Sequence, residues 1–172
     1  MSRRAISAGI PFALLTLALP AAADDDLVKF RGGIGVIPVS SAAGAANADG
    51  TSPNVNRNVV RGVNPPGQIW VIEDLRGEVK SDGRIRVDGR GLLLGGGNGI
   101  GTNANQNVMA TLICEAAAPF TLHNTALVPL EANGDFRIDD VLNPAVTAEC
   151  ASPVLLIRNA GGAWFAAGIV KR

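Results

Sequence analysis

From Leu27 onward the apolar residues come in short runs broken by Gly, Pro, Asn and Asp, and no window sustains a 3.6-residue period. That pattern predicts strands near 28–38, 58–63, 68–80, 84–94, 107–115, 120–130, 135–139, 153–158 and 163–170. The expected architecture is all-β. It is an antiparallel β-sandwich of roughly seven to nine strands, immunoglobulin-like or transthyretin-like in layout, with two packed sheets.

Two hairpins are predicted to the level of register. In "LRGEVKSDGRIRVDG" a two-residue Asp-Gly loop sets Lys80 against Ile85 and mixes polar with apolar faces. A three-residue loop, Ser81-Asp82-Gly83, sets Val79 opposite Ile85, Glu78 opposite Arg86 and Arg76 opposite Asp88. One face then becomes apolar and the other carries opposite charges, so the second register is expected, with Gly83 left-handed. In "LVPLEANGDFRID" the same reasoning makes Ala132-Asn133-Gly134 the loop, with Leu130 facing Phe136 and Val128 facing Ile138.

The runs "VMATLIC", "PVLLIR" and "AWFAAGIV" are apolar on both faces, whereas a lone sandwich buries only one face of each strand. Three readings stay open: an N-terminal arm covers the second face, a partner covers it, or these are ordinary surface apolar residues. Residues 40–56, small and polar without periodicity, read as a long surface loop or a flexible tether. If they are a tether, "LVKFRGGIGVIPV" is an arm that pairs away from the main body. "VNPPGQ" reads as a stiff turn leading into "IWVI". The expected division is thus an export signal over 1–23, an N-terminal strand or arm plus loop over 24–57, and the sandwich over 58–172.

The first residues change how the rest is read. Arg3 and Arg4, the apolar stretch "AISAGIPFALLTLAL" and the small residues before Asp24 have the layout of a cleavable export signal, with the cut between Ala23 and Asp24. The alternative is an uncleaved anchor, although Ala5 to Leu19 falls short of the roughly 20 apolar residues of a helical span. "SRRAIS" resembles part of the twin-arginine export motif without its following Phe-Leu-Lys. The expected location is the periplasm or the extracellular space. Of the 15 Lys and Arg and 15 Asp and Glu in the 172 residues, the signal removes Arg3 and Arg4, leaving 13 against 15, a net charge near −2. That composition carries no basic footprint for nucleic acid, and no later run approaches spanning length.

Cys114 and Cys150 are the only cysteines, and an even count outside the cytosol reads as a disulfide. In the chain-entropy model a loop of this length is worth about 4 kcal/mol. Two metal-binding thiolates are the rival reading, and with His123 the single histidine few further ligands are at hand.

Chemistry is sparse elsewhere. "GLLLGGGNGIGTNANQN" contains a GxGxxA match at Gly99, Gly101 and Ala104, but "TNANQNVMATLIC" leads into a strand, not a helix whose N-terminus would face a pyrophosphate. No lysine precedes Thr102 to complete a phosphate loop. The stretch therefore reads as a glycine-rich connection, and no cofactor is expected. His123 lacks a serine in a nucleophile-elbow setting and reads as a strand histidine, solvated or hydrogen-bonded. Glu131, Asp135, Asp139 and Asp140 lack EF-hand spacing and read as a solvated hairpin edge. Trp70 and Trp164 are core residues by default; with His123 they are also the candidate surface contacts.

"NVVRGVNPPGQIWVI", "GRGLLLGGGNGIGTN", "ATLIC", "NGDFRIDDVL" and "CASPVLLIRNAGGAWFAAGI" carry a resemblance to small exported bacterial all-β proteins of uncharacterised function. In layout the chain is also similar to the disulfide-linked sandwich of plant pollen proteins, where a hairpin like "NGDFRI" lies between two cysteines. Both resemblances imply fold and export, and neither implies catalytic residues. Three functions follow as expectations. The first is a non-catalytic exported protein acting through a surface, by self-association into a homo-oligomer or by binding an envelope or extracellular component. The second is a fibre or pilus-like subunit whose N-terminal arm completes a neighbour's sheet. The third is a secreted hydrolase centred on His123 or on the Asp135 to Asp140 carboxylates.

Overall fold

A computed structural model describes residues 25–41, 48, 55–146 and 149–171. The signal over 1–23, its Ala23–Asp24 junction and most of the 40–56 loop lie outside the described residues. The strands are β1 (Asp26–Gly35), β2 (Val39–Ser41), β3 (Val55–Arg57), β4 (Trp70–Val71), β5 (Asp74–Lys80), β6 (Arg84–Arg90), β7 (Leu93–Leu94), β8 (Asn107–Ile113), β9 (His123–Asn124), β10 (Val128–Pro129), β11 (Phe136–Val141), β12 (Val154–Asn159) and β13 (Trp164–Val170). The described residues contain no helix, so the all-β expectation holds.

Eight strands form one antiparallel sheet in the order β10-β8-β12-β13-β1-β5-β6-β11, with β9 also paired to β8. The sheet curls until its two ends meet. Asn124 on β9 and Asn143, just beyond β11, exchange two backbone hydrogen bonds of 2.8 Å. The expected division into two facing sheets is not seen in this ladder. β2 with β3 and β4 with β7 make two small separate pairs.

The first hairpin has the expected register: Val79 pairs with Ile85, Glu78 with Arg86 and Arg76 with Asp88. Gly83 closes it with a φ of 85°. The predicted strands 68–80 and 84–94 continue in that same register past a break, because Trp70 pairs with Leu94 just as Asp74 pairs with Arg90. The break is a bend. Gly91 takes a φ of 63°, and a Cβ there would stand 3.0 Å from Cβ of Glu73. Beyond the bend the hairpin's far end, β4 and β7, leaves the main sheet, and β4 packs against β1 and β13. Gly35 permits this approach, since a Cβ on it would stand 2.2 Å from the Trp70 carbonyl oxygen.

The second hairpin departs from expectation. Its turn forms, with Glu131 and Asp135 joined by a 2.9 Å backbone bond and Gly134 at a φ of 84°. Its arms do not pair: Val128 faces Val108 on β8, and Ile138 faces Val87 on β6. The reason is the bend beside it. The Gly134 carbonyl accepts the Leu92 N–H at 2.8 Å, and the Asp135 carboxylate accepts the Gly91 N–H at 3.1 Å. The turn satisfies backbone groups that the bent hairpin exposes, and its arms separate to do so.

An arm pairing away from the body, the reading that followed if 40–56 were a tether, is not what β1 forms here. β1 lies inside the sheet, hydrogen-bonded to β13 on one edge and β5 on the other. Of the two-sided apolar strands, β8 and β12 are covered within the chain, whereas β13 ends in exposed Ile169 and Val170. On β12 Leu155 and Leu156 point to opposite faces, and both are fully buried, as are Leu112 and Thr111 beside them on β8. Over Thr111 the Arg158 guanidinium reaches both its hydroxyl (3.3 Å) and the Asn124 side-chain oxygen (3.2 Å). Arg158 is further held by the Gly162 carbonyl at 2.9 Å.

Candidate functional site

The residues singled out in the sequence are mostly structural. Trp70 is 3% exposed and stacks on Phe165 with ring centres 4.0 Å apart, while Trp164 is buried with its indole N–H on the Asn58 carbonyl at 2.9 Å. His123 is 5% exposed, and its Nδ1 donates to the Pro144 carbonyl at 2.8 Å, which places the ring proton on that nitrogen. All three are buried, and His123 edges a surface depression. An aromatic ring on a strand of a curled sheet has a large apolar area to bury, and here each polar tip of Trp164 and His123 finds a backbone acceptor.

Cys114 and Cys150 form a disulfide that closes a separation of 36 residues. It ties the end of β8 to the segment before β12, and the Cys114 carbonyl also accepts the Ser152 N–H at 3.1 Å. Arg61 binds the same junction, donating to the Glu115 carbonyl and, at 2.6 Å, to the Ser152 hydroxyl. Beside the disulfide lies a depression of about 360 Å³ edged by Glu115, Thr121, His123 and Glu149. The Thr121 hydroxyl, with backbone N–H groups of Glu115 and Thr121, holds the Glu115 carboxyl below its ordinary value. A carboxylate held ionised by hydrogen bonds and an imidazole committed to a carbonyl are settled partners, not an acid and a base facing a shared substrate position.

The acidic hairpin edge is likewise engaged. Asp135 accepts from Gly91, Asp139 pairs with Arg86 at 2.7 Å, and Asp140 accepts the Ala126 N–H at 2.7 Å. The Arg86 guanidinium keeps the Asp139 carboxyl below its ordinary value. Asp139 and Arg86 belong to a wider charged face on β5, β6 and β11, where Arg76, Glu78, Arg84, Asp88 and Arg137 also lie.

The glycine-rich stretch forms a compact loop between β7 and β8. Leu94 donates to the Thr102 carbonyl at 2.9 Å and accepts from Gly101 at 2.8 Å, so the loop closes on itself. Gly95 has no room for a side chain, and Gly97 takes a φ of 76° that favours glycine. A Cβ on Gly95 would stand 2.7 Å from a methyl of Val71, and one on Gly97 2.4 Å from the Gln68 side-chain oxygen. The loop thereby presses onto Gln68 and Ile69 and forms one wall of a cleft.

That cleft has a volume of about 560 Å³. Its other walls are Ile37, Pro38 and Val39 at the start of β2, Arg57 at the end of β3, and Pro66 to Ile69 ahead of β4. Ile37 is 64% exposed, Val39 46% and Ile69 40%, which is high for aliphatic side chains gathered around one opening. Proline fixes both approaches: Pro38 and Pro66 cannot donate to a ladder, so these segments stay off the main sheet and leave a gap between them. Arg57 donates to the Pro65 carbonyl at 3.1 Å. None of these residues stands in a motif that marks a site in the sequence. The available signal was the pairing of two proline-stiffened aliphatic segments, "IGVIPV" and "PPGQIWVI", with a glycine-rich loop to close on them.

Compared with known proteins, the chain matches no family model, no curated protein and no solved structure.

Proposed function

We propose that this is an exported, non-catalytic β protein that acts by binding through the surface around the Ile37–Ile69 cleft. The observation that carries the reading is the exposure of Ile37, Val39 and Ile69 around one opening whose walls are set by prolines and close-packed glycines. The two-sided strands β8 and β12 do not carry the reading, because the chain buries both of their faces itself. Exposed aliphatic groups in a concave setting are costly to leave in water, and a partner that covers them recovers about 25 cal/mol per Å². Export is supported by the leader pattern and by a disulfide that fits an oxidising compartment.

Cell fractionation and sedimentation of the mature protein test the reading together. Ile37→Asp and Ile69→Asp place charge on exposed positions and should leave the fold intact. Both variants are expected to lose association with envelope material, or self-association, that the natural protein displays. A natural protein that sediments as a monomer and leaves the envelope fraction as readily as Ile69→Asp would overturn the proposal.

A further inference from the structure

We infer that the cleft takes an aliphatic chain ending in a carboxylate, of the fatty-acid class. This rests on the reading of the cleft as the working surface and names its ligand. Three features of the lining select that chemistry.

The volume, about 560 Å³, lies in the range of small-molecule sites. The walls supplied by Ile37, Pro38, Val39, Pro66 and Ile69 are aliphatic, and no aromatic ring lines the opening among the described residues. A flexible hydrocarbon chain is complementary to such walls, whereas a sugar or a nucleobase would lack a stacking platform. Finally, among the described residues Arg57 is the single charged group in the lining, and no carboxylate lines the cleft.

Arg57 is also placed to receive an anion. Among the described residues its hydrogen-bond partner is the Pro65 carbonyl, reached through one terminal nitrogen, and no ion pair occupies the guanidinium. That bond orients the planar group while leaving its remaining donors for a ligand, and guanidinium geometry matches a carboxylate in a two-point contact. The Gln68 amide, beside Gly97, supplies a second polar group to the lining. A cationic head would meet Arg57 with like charge, so amphiphiles of the opposite sign are disfavoured.

Calorimetric titration of the purified protein below the aggregation range of each probe tests this. The probes are dodecanoate, dodecylamine, acetate, and a short peptide with a free C-terminal Ile-Val. Dodecanoate is expected to bind, acetate and dodecylamine not. Arg57→Gln should weaken dodecanoate about tenfold, and Ile69→Asp should abolish its binding. The inference is overturned if dodecanoate fails to bind, if the amine binds equally, if Arg57→Gln has no effect, or if the peptide binds more tightly than the fatty acid. Fractionation of the same variants separates the two claims. Loss of envelope association in Ile69→Asp without dodecanoate binding would leave the surface reading standing and remove only the ligand.

Discussion

Arg86 and Leu156 both point away from the interior of the curled sheet, one from β6 and one from β12, yet they meet opposite surroundings. Arg86 lies on the charged face and pairs with Asp139 in water. Leu156 is fully buried, within a stretch where Thr111, Asn124 and Arg158 build a polar cover on the same face. A single sheet thus has one flank that is amphipathic in the ordinary way and another that is interior on both sides. The difference shows that an apolar outward face is not by itself a docking surface. The chain must be followed to see whether it returns to cover its own strands, and here it does.

The sharpest way to break this comparison is to charge both outward positions. Leu156→Arg should abolish the cooperative unfolding transition seen by circular dichroism, because a guanidinium placed in that packed layer has no partner and no room. The milder Leu156→Ala is expected to cost about 2–5 kcal/mol in urea denaturation. If Leu156→Arg unfolds like the natural protein, the outward face of β12 is open and a partner must cover it after all.

Next in size is the disulfide, which secures the covered flank alone. Replacing Cys114 and Cys150 together by alanine should lower stability by about 4 kcal/mol in the chain-entropy account, given a closed separation of 36 residues. Proteolysis should then cut first between residues 142 and 152, leaving the β5–β6 hairpin protected. Equal loss of protection across both flanks would mean that the two are one cooperative unit.

The smallest effect belongs to the charged flank. Arg86→Gln should move the unfolding midpoint little at neutral pH, since both partners are solvated. Its pH dependence has a definite sign. The Asp139 carboxyl is depressed by Arg86, so the stabilisation is present above the ordinary aspartate value of 3.8 and fades as pH falls below it through the depressed folded value. The variant and the natural protein should therefore differ by a constant amount above that value and converge in acid. A difference that grows on acidification would contradict the pairing.

The charged flank was legible from residue order. Its alternation, the Ser81-Asp82-Gly83 turn and the pairing of Glu78 with Arg86 all follow from a local rule: a one-residue slip would bury charges. The second hairpin was half legible, for its turn depends on Asn133 and Gly134 but its arms depend on Gly91 and Leu92, some 40 residues away, which take the turn's polar groups. The cleft was legible only as two proline-stiffened aliphatic segments and a glycine-rich loop, with nothing in residue order to bring them together. Val39, Arg57, Ile69 and Gly97 are scattered over the chain, and none belongs to a motif whose spacing carries chemistry.

Residue order by itself therefore determined the all-β class, the charged hairpin and its register, and the pairing of the two cysteines. These depend on period-two alternation, on turn residues with left-handed freedom, and on there being only one partner for each thiol. Only the tertiary structure decided that β1 is an interior strand, that the long hairpin bends at Gly91, and that the chain covers both faces of β12 while leaving Ile37 and Ile69 around an open cleft. Those outcomes rest on which distant segments satisfy one another's backbone groups and where a missing Cβ lets two backbones approach. Neither quantity is expressed in the order of neighbouring residues.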